Sequence, residues 1–337
     1  MHTRTIGPLT VSAIGLGCMN MSMGYGVADD AESAKLLNAA LDDGYTFLDT
    51  AALYGGGHNE RLIGSALASR RREYVLATKG GYTRTPDGKA TIDGRPESVR
   101  RDCEASLKRL GTDVIDLYYI HRPDTSLPIE ETTGALADLK AAGKVRAIGF
   151  SEVCTENLRR AHAEHPVDAL QSEYSLWSRT PESGVLDACA ELGITFVPFS
   201  PLARGFLAGS SSDVNTLSES DLRATIARPR FEPENFAHNQ SLLTPFNAIA
   251  TREGCSPAQL ALAWLLAQRD TAGQRTQVPI PGTKHIDWMQ ENAGAGDIAL
   301  DADTVAELDE LINESTVRGN RYTDALMASA DSERDRD

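Results

Sequence analysis

The 337-residue sequence has no paired-cysteine motif, no excess of cations and no unbroken apolar run long enough to cross a bilayer. Its five cysteines, Cys18, Cys103, Cys154, Cys189 and Cys255, are odd in number and widely spaced. That argues against a disulfide framework and a thiolate zinc site, and for a reducing compartment with free thiols. Lys and Arg number 33 against 48 Asp and Glu, a net charge of −15. A chain so acidic offers no broad basic surface for nucleic acid or an anionic membrane, although a local group of cations can still hold one phosphorylated cofactor. The uncharged stretch 5–28 is interrupted by Pro8, Gly15, Gly17, Gly24 and Gly26, so it does not read as a membrane span. Leu16-Gly17-Cys18 has the look of a lipoprotein cleavage site, but Pro8, Thr10, Ser12 and a single Arg before it make a poor signal peptide. The expected location is cytoplasmic, with no nucleic-acid or membrane partner. The oligomeric state is not legible.

Hydrophobic residues make up 41% and charged residues 24%, enough for a large core. Short apolar runs at 13–17, 46–49, 74–79, 115–121, 145–150, 169–173, 195–199 and 277–280 read as strands. Amphipathic segments near 30–43, 59–68, 96–110, 129–142, 156–162, 184–192, 256–268 and 285–293 read as helices, with another near 303–313. Gly44, Gly111, Gly143 and Gly193 each stand between a helix and the next strand, where positive φ is common. This alternation predicts an α/β fold of the (β/α)8 TIM-barrel class, with an N-terminal β-hairpin turning at Gly7-Pro8. An open doubly wound sheet would carry Gly-x-Gly-x-x-Gly after its first strand; here Gly17-Cys18-Met19-Asn20-Met21 follows instead. The polar stretch 203–244 is expected as a long loop after the seventh strand. One domain is expected over 1–325, and 326–337 is expected as a disordered tail.

Barrel chemistry sits at the carboxyl ends of strands. The polar residues there are Asp49, Lys79 and His121, with Tyr54 in the loop after Asp49. Each alone has a bland reading: half of a salt bridge, a structural histidine, a packing tyrosine. Their occurrence at successive strand ends gives the functional reading its weight. An ammonium about 4 Å from a phenol contributes roughly 4 kcal/mol at an effective dielectric of 20, on the order of three pKa units. Lys79, kept charged by Asp49, is therefore expected to bring Tyr54 towards neutrality as a proton donor, with His121 orienting the reacting oxygen. The seven histidines are scattered with no His-x-His pair, so no metal site is expected.

The same residues carry a family resemblance. Phe47-Leu48-Asp49-Thr50-Ala51 with Tyr54-Gly55, Thr78-Lys79 and Tyr119-Ile120-His121-Arg122-Pro123-Asp124 resemble the aldo-keto reductase superfamily. The likeness continues through Gly143-Lys144-Val145-Arg146-Ala147-Ile148-Gly149-Phe150-Ser151 and Gln171-Ser172-Glu173-Tyr174-Ser175. It extends to Phe199-Ser200-Pro201-Leu202-Ala203-Arg204-Gly205 and Pro279-Ile280-Pro281-Gly282-Thr283-Lys284. Within the superfamily the sequence is most similar to the branch of pyridoxal and auxin-induced-type reductases.

The resemblance implies metal-free, reversible reduction of an aldehyde or ketone by NAD(P)H, with Asp49, Tyr54, Lys79 and His121 as the catalytic four. It places cofactor contacts at Gly17, Cys18, Met19, Asp49, Ser151, Gln171, Phe199, Ser200, Pro201, Leu202, Arg204, Gly205, Gly282, Thr283, Lys284 and Asn292. Phe199 would stack on the nicotinamide, and Arg204 would hold pyrophosphate. Glu152 stands where many relatives have Asn, and Trp288 where many have Arg. Lys284 ahead of a helix favours the 2′-phosphate of NADP(H), with NAD(H) the alternative. Tyr25 and Trp177 are expected near the substrate, while Met19, Met21 and Met23 either line an apolar pocket or pack the barrel mouth. The alternative function is a non-catalytic cofactor-binding or redox-sensing subunit.

Overall fold

The strands in chain order are β1 (Thr3–Ile6), β2 (Leu9–Ser12), β3 (Leu16–Gly17), β4 (Phe47–Asp49), β5 (Val75–Gly80), β6 (Tyr82–Arg84), β7 (Ala90–Ile92), β8 (Ile115–Ile120), β9 (Val145–Ser151), β10 (Ala169–Glu173) and β11 (Thr195–Phe199). This computed structural model describes residues 1–84, 90–209, 214–268 and 276–336. β1 and β2 pair as an antiparallel hairpin, with Gly7 at φ +50° in the turn. Their alternation sends Ile6, Leu9 and Val11 to one side, where they pack on Phe47, Leu117, Tyr119 and Val197 inside the barrel. The Thr195 hydroxyl donates to the Thr5 carbonyl at 2.9 Å, which ties the hairpin to the start of β11. The hairpin thus plugs the amino end of the barrel.

Seven parallel strands run in the order β11-β10-β9-β8-β5-β4-β3, and helices separate them along the chain. The helix Pro96–Leu110 shows why these segments fold as they do. Pro96 opens it, Glu97 and Lys108-Arg109 complement its dipole, and Gly111 ends it at φ +64°. Val99, Cys103, Leu107 and Leu110 bury one face.

The eighth strand, expected at 277–280, differs from its neighbours. Residues 276–282 lie extended between β11 and β3 but form half a ladder. The Val278 and Ile280 N–H groups donate to the Phe196 and Pro198 carbonyls, both at 3.0 Å. The Pro279 and Pro281 carbonyls accept from Gly15 and Gly17 at 2.9 and 3.1 Å. Pro198, Pro279 and Pro281 have no N–H to return, so the seam closes the barrel without full pairing. Backbones approach closely here: a Cβ on Gly17 would stand 2.8 Å from the Ile280 carbonyl oxygen.

Two expectations need correction. The stretch 203–244 is not a structureless loop; residues 210–213 lie outside the described residues. Around it stand the helices Arg228–Phe231, Pro233–Gln240 and Leu243–Arg252. Phe206, Phe231 and Phe236 anchor the stretch, and Phe206 stacks on Trp177 with ring centroids 4.2 Å apart. These few aromatics supply the buried area that the polar composition conceals.

The tail expected to be disordered is also ordered over its described residues, 326–336; residue 337 lies outside them. A helix covers Asp324–Ser329, and a 3-10 segment covers Asp331–Arg336. The Asp331 carboxylate accepts from the Cys154 N–H and the Asn157 amide, and Asp335 accepts from the Thr155 N–H. The Cys154 and Thr155 N–H groups are free donors at the start of the helix Thr155–Glu164, and the Asn157 group is its side-chain amide, so acidic residues that read as solvated instead cap a helix from a distance. Just before the tail, Arg321 pairs with Glu152 at 2.6 Å and with Glu333 at 2.5 Å.

Burial works against ionisation of Glu152, but Arg321 and Arg122 outweigh it and hold the carboxyl down to about 2. A carboxylate with a lower pKa folded than unfolded stabilises the fold above its ordinary value of 4.5, and that stabilisation is lost as the pH falls towards 2. Urea unfolding across that window is therefore expected to show a steep acid loss, of roughly 3 kcal/mol. Glu152→Gln should flatten the loss while lowering stability at pH 7. Asp331→Ala should lower stability by about 1–3 kcal/mol by orphaning its buried donors, read as a reduced melting temperature and faster amide exchange over residues 154–157.

Candidate active site

β4 ends on Asp49, and a 3-10 turn over Tyr54–Gly57 follows it. Lys79 is the fifth residue of β5, and His121 directly follows β8. β4, β5 and β8 are hydrogen-bonded neighbours, so the sheet brings these groups together at its carboxyl edge. The Lys79 ammonium donates to the Asp49 carboxylate, to the Thr50 carbonyl at 2.9 Å and to the Tyr54 hydroxyl at 3.4 Å. The second Asp49 oxygen accepts from the Gln171 amide at 2.8 Å. The His121 ring meets Tyr54 edge-on at 5.8 Å and Tyr82 at 5.3 Å.

Burial alone would strip the Lys79 proton, but Asp49 and Tyr54 outweigh it and the ammonium is held above its ordinary value. Tyr54 corrects the expectation from sequence. Burial raises the phenol, Lys79 lowers it, Asp49 raises it again, and the net direction is upward. Burial outweighs the ammonium, and Asp49 offsets part of its charge, so Tyr54 keeps its proton at neutral pH. Burial, Lys79 and Arg122 together push His121 well below 6.5, leaving a neutral imidazole. Its Nδ1 is buried without a hydrogen-bond partner among the described residues.

One cavity of about 780 Å3 opens above these groups. It runs from Tyr54 and His121 past Gln171 and Phe199 to Lys284, Trp288 and Asn292. All sixteen positions expected at the cofactor line it: Gly17, Cys18, Met19, Asp49, Ser151, Gln171, Phe199, Ser200, Pro201, Leu202, Arg204, Gly205, Gly282, Thr283, Lys284 and Asn292. Tyr25 and Met23 line it too, whereas Met21 is buried in the core.

Two expected residues are committed elsewhere. Trp177 does not line the cavity; it is 2% exposed and stacked between the Phe206 ring and the Arg230 guanidinium. Arg204 does line it, but its guanidinium pairs with Glu173 at 2.7 Å and lies over the Tyr322 ring. Glu152 is likewise turned away, to Arg321.

Sequence reasoning missed Tyr82 and Ile92, paired across the β6–β7 hairpin, and Leu222, Arg223, Tyr322 and Leu326 from distant segments. Only Arg122, beside His121, carried a local signal. Among the described residues, no group of three or more His, Cys, Asp or Glu is placed to hold a metal ion. No described helix is long and apolar enough to cross a membrane.

Comparison with known proteins agrees with this geometry. The family model described as "Aldo/keto reductase family" matches residues 13–313. The chain is 43% identical over 326 residues to the "Aldo-keto reductase yakc [NADP(+)]" of Schizosaccharomyces pombe, covering 95% of this chain and 94% of that one. Its fold is similar to the glycerol dehydrogenase AKR11B4 from Gluconobacter oxydans, with a TM-score of 0.81 and 28% identity over 92% of this chain and 94% of that one. It is also similar to an aldo/keto reductase from Klebsiella pneumoniae solved with NADP and acetate, with a TM-score of 0.70 and 28% identity over 95% and 98% of the two chains. Match, coverage and the barrel itself lead to one conclusion: the chain belongs to the aldo/keto reductase family.

Proposed function

We propose that this protein reduces an aldehyde or ketone to the alcohol, reversibly, with NADPH as the favoured cofactor and Tyr54 as the proton donor. The observation that carries this reading is the Asp49–Lys79–Tyr54 chain at the floor of the long cavity, beside a neutral His121. The residues fit such a cofactor. Ser151 and Gln171 are polar groups at the Tyr54 end, and Phe199 is an aromatic surface along the way. Lys284 stands at the far end, just ahead of the helix Ile286–Gly294. When bound, the nicotinamide supplies the hydride.

The chain's own residues do the rest. His121, being neutral, donates a hydrogen bond to the carbonyl oxygen without holding it as an ion pair. Tyr54 enters the reaction protonated and passes its hydroxyl proton to that oxygen as negative charge develops on it. Lys79 stabilises the phenolate left behind, and Asp49 keeps Lys79 charged throughout. In the oxidative direction Tyr54 takes the proton back. The apolar walls keep water from competing for the oxygen.

NADPH is favoured because Lys284 pairs with no carboxylate among the described residues and donates only to the Tyr25 and Val27 carbonyls, at 2.8 and 3.0 Å. Trp288, 48% exposed and edge-on to His285 at 4.2 Å, presents a flat face suited to an adenine. The NADP(+) in the name of the Schizosaccharomyces pombe relative supports the same choice.

With 4-nitrobenzaldehyde as a generic substrate, Tyr54→Phe should lose kcat by roughly 100-fold or more while NADPH binding, read by fluorescence, stays intact. Near wild-type turnover would remove Tyr54 from its role. Tight cofactor binding without turnover in the wild type would favour the binding-subunit alternative. The ratio of kcat/KM for NADPH over NADH should exceed one and fall roughly tenfold in Lys284→Met; a clear NADH preference would overturn the choice. His121 should stay neutral down through pH 6.5, so its ring nitrogen resonances should not titrate there and kcat/KM should show no limb at that pH.

A further inference from the structure

Among the described residues, four Arg or Lys side chains line the cavity: Arg122, Arg204, Arg223 and Lys284. Arg204 pairs with Glu173 and Arg223 with Asp221, at 2.7 and 2.8 Å. Lys284 lies at the far end, against two backbone carbonyls. Arg122 lies beside His121, at the reacting end, and has no ion pair among the described residues. One of its nitrogens donates to the His121 carbonyl at 2.8 Å and approaches the Ser151 hydroxyl at 3.4 Å. Among the described residues its other two nitrogens make no hydrogen bond, and the residue lines the cavity.

The bland reading makes Arg122 the counter-ion of Glu152. That carboxylate is already fully engaged. One of its oxygens accepts from the Glu173 N–H at 2.9 Å; the other accepts from Arg321 at 2.6 Å and from the Ser332 hydroxyl at 2.9 Å. The carboxylates of the cluster behind have arginines of their own: Glu173 has Arg204 and Arg321, Glu152 has Arg321, and Glu333 has Arg321 and Arg336. Arg122 therefore feels Glu152 only at longer range, and among the described residues it brings a positive charge without an ion pair to the wall of the cavity that Tyr54 and His121 also line. A guanidinium presents a planar fork of donors that matches a carboxylate.

We propose that Arg122 recognises a carboxylate on the substrate, so that the preferred substrates are oxo acids: aldehydes or ketones that also carry an organic carboxylate. This rests on the reductase reading above. Beside Arg122 the walls turn apolar. Tyr82, Ile92 and Leu326 line the cavity, with Ile92 and Leu326 exposed at 37% and 38%. They suit the hydrocarbon body of such a molecule. The site would then sort carbonyl compounds by charge, with the carboxylate on Arg122 and the carbonyl oxygen between Tyr54 and His121.

The test compares acids with their uncharged esters at saturating NADPH: phenylglyoxylate against methyl phenylglyoxylate, and 4-carboxybenzaldehyde against methyl 4-formylbenzoate. In the wild type, kcat/KM should favour the acid by about tenfold or more in at least one pair, the size expected of a charge-assisted contact. Arg122→Met should abolish that preference. Arg122→Lys, which keeps the charge but not the fork, should retain part of it and stands in if the Met variant does not fold. Esters turned over as well as the acids in both pairs would overturn the proposal. So would an acid preference that survives substitution. So would an Arg122→Met enzyme whose acid-to-ester ratio is unchanged while its Kd for NADPH rises, which would assign the guanidinium to the cofactor. Turnover of 4-nitrobenzaldehyde without turnover of either acid sinks this proposal alone, whereas no turnover of any carbonyl sinks the reductase reading and this proposal with it.

Discussion

The ammonium of Lys79 lies in the barrel wall with 1% of its surface exposed, and it is tolerable there only because the Asp49 carboxylate and the Thr50 carbonyl hold it. A buried charge without partners costs several kcal/mol. The pair is therefore a structural commitment before it is a chemical one. Asp49 must sit at the end of β4 and Lys79 inside β5, and the register pairing Asp49 with Ala77 sets the offset between them. Gln171, reaching from β10, fixes the second carboxylate oxygen and ties the far side of the sheet to the same point.

That commitment shapes the chemistry. An exposed phenol beside a lone lysine would be acidic, but Tyr54 is buried and its lysine is already paired, so burial sets the direction. What the pair offers instead is a fixed positive charge available when a phenolate forms, and no strong pull before then. This suits a group that must hold its proton at neutral pH and release it only as a carbonyl oxygen gains charge. His121, kept neutral by burial and by Lys79 and Arg122, avoids adding a competing acid at the same place.

The C-terminal segment belongs to the site as much as the barrel strands do. Tyr322 and Leu326 line the cavity, while Arg321 holds Glu152 and Asp331 caps the helix after β9. Glu152, at the end of β9, adopts φ +59°, a conformation unusual for a side chain of its size, and its ion pair with Arg321 holds it there. The carboxylate at this position is thus matched by an arginine some 170 residues away in the chain.

Strand ends were readable because a barrel strand buried on both faces leaves a titratable residue at its carboxyl end conspicuous; Asp49, Lys79 and His121 stand out for that reason. The helices were readable through their spacing and their Gly and Pro boundaries. Other features carried no local mark. Trp177 looked like a loop aromatic near the substrate until Phe206 and Arg230 enclosed it. The acidic tail looked solvated until Asp331 met the orphan donors of a distant helix. Arg204 looked free for phosphate until Glu173 claimed it. Composition and periodicity determined the class of fold and which side chains could do chemistry, since both follow from short-range spacing along the chain. Which of those charges are paired and which phenol keeps its proton were decided by tertiary structure, because ion pairing and burial depend on residues that only the closed barrel brings within reach.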